Sequence, residues 1–199
     1  MSSIQDNQEI LYDKQIVEWM HPIQRVTSSL SILGSLVIIC QVLRERKQKL
    51  KVMYHRIILC MSICDFIGST ALFFGSWATP KDVEEEWLWD NIGTQFTCDL
   101  QGYFVNFGFL SVSTCTTFLS IHYLVLIKYN WHQESLKKLE CTLWVCICLC
   151  LALSAIHLFT ESYNPTPTFC WVQVIEFLPL FLIFEIHMYY IRQPINVYG

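Results

Sequence analysis

Charged residues are scarce in this sequence. Asp, Glu, Lys and Arg make up 15% of its 199 residues, whereas a soluble globular domain carries about a quarter. With 53% hydrophobic residues and the few charges gathered into clusters, that shortage excludes an ordinary water-facing domain and points to a polytopic membrane protein with small loops. The chain also lacks a usable Asn-x-Ser/Thr site, because Asn164 precedes Pro165, so glycosylation cannot report its topology. Nor does its start resemble a cleaved secretory signal. Residues 1–21 hold Asp6, Glu9, Asp13 and Glu18 against Lys14, so the first apolar stretch is expected to serve as its own uncleaved signal.

What the sequence does have is a series of apolar stretches. Residues 98–128 are the longest, with no charge between Asp99 and Lys128 and no proline. At about 1.5 Å per residue, a helix of that length crosses a hydrocarbon core of about 30 Å. Its Gln101, Asn106, Ser111, Ser113, Thr114, Thr116, Thr117 and Ser120 are too many for a helix surrounded by lipid, which places it inside a bundle. Further spans are expected at 23–43, 56–78, 139–159 and 172–191, the last containing Glu176, Pro179, Glu185 and His187. The expected fold is therefore an all-α transmembrane bundle of five spanning helices. Residues 1–22 form an extracellular segment before it, and residues 192–199 a short cytoplasmic tail after it.

The charges set an orientation. Arg44, Arg46, Lys47, Lys49, Lys51 and Arg56 stand against the single Glu45 after the first span, and short basic loops stay on the cytoplasmic side. The N-terminus is then outside, and Arg44, Arg46, Lys47, Lys49 and Lys51 become a surface for lipid headgroups or a cytoplasmic partner. Lys128, Lys137 and Lys138 make a second, weaker positive loop on the same side. The acids Asp82, Glu84, Glu85, Glu86 and Asp90 fall on the opposite side, with Trp87 and Trp89 as interface anchors.

Asp65 is the exception within the spans. It lies nine residues into the second one, about 13 Å along the axis, where a carboxylate must be paired, hydrated or protonated. It is either a functional group or the centre of a structural hydrogen-bond hub with Ser62, Ser69 or Ser35. Of ten cysteines, eight sit in apolar helical stretches as small packing residues. Cys146, Cys148 and Cys150 alternate and do not share a helical face, which argues against a metal site. Cys98 and Cys170 fall at the outer ends of spans, on the oxidising side, and are expected to pair.

Cys98, Cys170, Asp65, Trp144 in the fourth span and Pro179 in the fifth together resemble a seven-helix G-protein-coupled receptor. Within that superfamily, MSICD at 61–65 and CDLQGYF at 98–104 are most similar to the cyclic-AMP-receptor-like group, with the secretin-like receptors as near neighbours. The resemblance implies five helices of a seven-helix fold, lacking the sixth and seventh, and a role in transmembrane signalling at the plasma membrane. Endoplasmic-reticulum retention is the other outcome expected of an incomplete bundle. The chain also departs from the family. The acid-Arg-Tyr triplet that ends the third helix of rhodopsin-like receptors is matched here by His122, Tyr123 and Leu124, and Cys115 stands where the cyclic-AMP-receptor-like group has a Trp.

Several functional expectations follow. Trp77, Gln101, Asn106, Trp171 and Gln173 are candidate walls of an extracellular ligand pocket, each equally able to be packing or anchorage. His122, Tyr123 and Lys128 join the basic loop as contacts for a heterotrimeric G protein, a full-length receptor or a second copy. The acid-rich outer half suits a cationic, peptide or apolar ligand better than a cyclic nucleotide. The competing reading is an ion or proton transporter using Asp65, Glu176 and Glu185, or a membrane partner without signalling of its own. No enzymatic activity, cofactor, metal or nucleic acid is expected.

Overall fold

Long apolar runs rich in Leu, Ile, Val, Phe and Cys fold as helices because in lipid every backbone polar group must be satisfied within its own segment. The computed structural model describes residues 2–81, 91–129, 133–160, 162–166 and 168–172. Of residues 2–17, 129 and 133–136 it describes the backbone alone. Helix α1 spans Ser2–Arg44, the short α2 Arg46–Lys49, α3 Met53–Phe74, α4 Gln95–Tyr129 and α5 Gln133–Phe159. A 3-10 turn, Gly75–Ala78, ends α3, and two three-residue strands, β1 at Tyr163–Pro165 and β2 at Cys170–Val172, follow α5.

Four helical segments are long and apolar enough to cross a membrane: Glu18–Arg44, Met53–Ala78, Gln95–Lys128 and Lys137–Phe159. They match the first four expected spans. The segment ahead of the first span is helical and continuous with it, since α1 runs unbroken through Pro22 for 43 residues. At about 1.5 Å per residue that is roughly twice a bilayer core, so its first half projects beyond the membrane. Val172, expected as the first residue of a fifth span, closes β2 instead. The rest of that span, with Gln173, Glu176, Pro179, Glu185 and His187, lies outside the described residues, as do the tail 192–199 and the acidic residues 82–90.

Each long helix packs on the next, α1 on α3, α3 on α4 and α4 on α5. The apolar core joins the last three, through Met53, Ile57, Cys60 and Cys64 of α3, Phe107, Cys115 and Phe118 of α4, and Leu143, Ile147 and Cys150 of α5. Buried thiols here fill space as small apolar groups. Helices α3 and α4 cross at Gly68 and Gly108, where a Cβ on Gly108 would lie 2.7 Å from the Gly68 Cα. The two backbones touch because neither residue has a side chain. Facing outward, α1 exposes Val26, Leu30, Leu33 and Val37 in a row, and α4 and α5 expose Ile127, Trp144 and Leu149. Large apolar side chains turned out at helical spacing fit a lipid surround and mark an integral membrane protein.

Candidate functional site

At the middle of the bundle Asp65 is half-buried and held by hydroxyls from two helices. Ser31 and Ser35, one turn apart on α1, both donate to its Oδ2, Ser31 at 2.7 Å. Ser69, one turn further along α3, donates to the Ser31 hydroxyl at 3.0 Å and lies 3.4 Å from Asp65 Oδ1. These donors offset much of the cost of placing a carboxyl group at that depth. The expected hub is present, but Ser62 is not a member. It is buried and makes none of the hydrogen bonds to Asp65.

One end of the bundle is closed by a clasp. Cys98 and Cys170 are disulfide-bonded, joining the first turn of α4 to β2. Beside that bond, Gln101 Nε2 donates to the carbonyls of Ala71 and Gly75 at 3.1 and 2.8 Å, while its Oε1 accepts from Cys170 N–H at 3.0 Å. One side chain thus ties the end of α3, α4 and the hairpin together. Gly75 makes this possible: its positive φ of +52°, open to a residue without a side chain, ends α3.

The hairpin turns inward through Tyr163, which has no exposed surface. Its ring lies against Gly102, where a Cβ would come within 2.4 Å of the ring, and its hydroxyl donates to the Ser154 carbonyl of α5 at 2.9 Å. Burial pushes the Tyr163 hydroxyl pKa up to about 12, because the phenolate would lose its water. Asn106 Nδ2 donates to the same hydroxyl at 3.5 Å. Neither Tyr163 nor Gly102 was legible as a site residue beforehand. The one signal for Gly102 was its place in the CDLQGYF stretch.

The expected pocket residues are therefore separated. Gln101 and Asn106 are buried and bound internally. Trp77, a third exposed, lies under the Arg25 guanidinium, 4.2 Å from its ring centroid. Trp171 packs edge-on against Phe109 and Phe169. Gln173 lies outside the described residues.

At the opposite end Arg56 pairs with Glu140 at 2.5 Å, linking α3 to α5, and donates to the Leu50 carbonyl at 2.7 Å. His122, expected at a partner surface, is buried on the inward row of α4 formed by Phe107, Ser111, Cys115, Phe118 and Val125. Tyr123 remains half-exposed, its ring 5.7 Å from that of Tyr54, and Lys128 is exposed in the last turn. Among the described residues no group of three or more His, Cys, Asp or Glu is placed to hold a metal ion. No family model matches the chain, and no curated protein matches it. The functional reading rests on the residues and their geometry.

Proposed function

We propose that the chain is a receptor-like membrane protein of the G-protein-coupled-receptor type, acting in transmembrane signalling at the plasma membrane with its N-terminus outside. The observation that carries this reading is the Cys98–Cys170 bond, which fastens the outer start of the third long helix to the hairpin after the fourth. Gln101, from the CDLQGYF stretch, clasps the same cysteine. A fixed outer frame of this kind suits a bundle whose helices shift against one another at the opposite end. The Asp65 hub supports the same reading, because it couples α1 and α3 at mid-depth through polar contacts that can rearrange. An extracellular ligand of cationic, peptide or apolar character would act on the closed cap and on the Trp77 rim. The basic loop, Tyr123 and Lys128 would meet a heterotrimeric G protein, a full-length receptor or a second copy.

The test is expression in cells with an epitope after Met1. The epitope should be reachable without permeabilisation, basal second-messenger output should shift, and Asp65→Asn should return that output to background at equal surface abundance. An epitope reachable only after permeabilisation overturns the orientation. Normal surface display with no second-messenger change and no recovered G protein overturns the signalling role. Recovery of a full-length receptor in that case moves the reading to a non-signalling partner.

A further inference from the structure

We propose that the loop following α1 is a binding site for the phosphate-bearing headgroup of an anionic phospholipid. The candidate span Glu18–Arg44 ends at the loop's first residue, so the loop stands at headgroup depth. A concavity of about 340 Å³ opens there, lined by Arg44, Glu45, Arg46, Lys47 and Gln48. Leu43 and Val52, each 49% exposed, bracket it with apolar side chains facing outward, as a segment seated at a lipid surface requires.

The charge balance singles out a phosphate. Lys49 is paired with Glu45 at 3.3 Å, and Arg56 with Glu140. Among the described residues, Arg44, Arg46, Lys47 and Lys51 have no carboxylate within ion-pair distance, and all four are exposed. The loop that carries them is ordered rather than merely basic. Backbone bonds from Gln48 and Lys49 to Glu45, from Leu50 to Arg46 and from Val52 to Lys49 wind it into successive turns, and Arg56 holds the Leu50 carbonyl from α3. Two guanidinium groups and an ammonium are thus presented together without internal partners, the arrangement that binds phosphate oxygens with paired, charge-assisted hydrogen bonds. The membrane supplies that phosphate at the right depth, and at a high local concentration in a leaflet rich in anionic lipid. This inference rests on the spans and the loop, not on the receptor reading.

Native mass spectrometry of the full chain in detergent, with phosphatidylserine and phosphatidylcholine in equal amounts, tests it. Phosphatidylserine should be retained preferentially, and Arg44→Gln, Arg46→Gln and Lys47→Gln together should weaken its binding about 100-fold, at about one order of magnitude or less per charge. Lys137→Gln with Lys138→Gln, exposed on α5, should leave it unchanged. Thermal melting of both variants should match the parent, since the altered side chains are exposed. Equal loss in the two variants, or no preference in the parent, overturns the site. Inorganic phosphate that competes only at millimolar levels supports a lipid source, whereas a soluble poly-glutamate peptide that binds the parent as tightly as the lipid overturns it in favour of protein docking.

Discussion

The two ends of the bundle use their polar groups in opposite ways. At the disulfide end a set of polar side chains is turned inward. Cys98, Cys170, Tyr163 and Thr79 have no exposed surface, and Gln101 makes three internal hydrogen bonds. At the opposite end the cations of the loop between α1 and α3 are solvent-facing and, apart from Lys49, lack ion-pair partners among the described residues. The contrast separates stability from recognition. Burying and satisfying polar groups rigidifies a frame, while leaving charges solvated keeps them available to a partner. Substitutions at the cap should therefore cost folding stability, and those in the basic loop should cost binding.

The disulfide should show the largest effect. Cys98→Ser with Cys170→Ser removes a bond closing 72 residues of chain, and the chain-entropy argument puts the loss at about 4 kcal/mol. Urea unfolding in detergent measures it, and a loss below about 1 kcal/mol would mean that the cap is held without the bond. Gln101→Leu comes next, at about 2 to 3 kcal/mol, because it leaves the buried Cys170 N–H without its acceptor. Gly102→Ala should cost about 1 to 3 kcal/mol by driving a methyl group into the Tyr163 ring. A silent Gly102→Ala would show that the hairpin sits loosely on α4.

Tyr163 sharpens the comparison through pH. Its pKa is raised from the usual 10 to about 12 in the folded state, so the folded chain keeps a proton that the unfolded chain releases between those values. Its contribution is complete below pH 10 and is lost as pH rises toward about 12. Tyr163→Phe should therefore flatten the stability slope over that window by about 1 kcal/mol per pH unit, while lowering stability at neutral pH through the lost bond to Ser154. An unchanged slope would place the hydroxyl in water. The smallest stability effect is expected at the end away from the disulfide. Glu140→Gln, which breaks the half-exposed pair with Arg56, should cost about 1 kcal/mol or less and fade with added salt.

Much of the frame was legible in advance. The stretches at 23–43, 56–78, 98–128 and 139–159 each lie within a helix or its terminal turn, because a run of apolar residues about 20 long has few other stable forms in lipid. The pairing of Cys98 with Cys170 was also readable, since these two were expected at the same ends of their spans while the other eight fell within the apolar runs. Of Ser62, Ser69 and Ser35, the serines expected around Asp65, Ser69 and Ser35 are at the hub, whereas Ser62 is absent from it and Ser31 takes part instead. Which serine meets the carboxyl depends on how far α1 is rotated and slid against α3, and no local pattern encodes that.

The sequence alone determined where the chain crosses the membrane, which loop is positive and which cysteines can meet. Those properties are sums over neighbouring residues: length, hydropathy and charge. Only the tertiary structure decided that Tyr163 fills the space left by Gly102, that Gly68 meets Gly108, that Gln101 is a clasp rather than a pocket wall, and that His122 is buried. Each of these depends on two distant segments arriving at one point with a given rotation. Such a meeting is set by packing complementarity between helix surfaces, which no single segment carries.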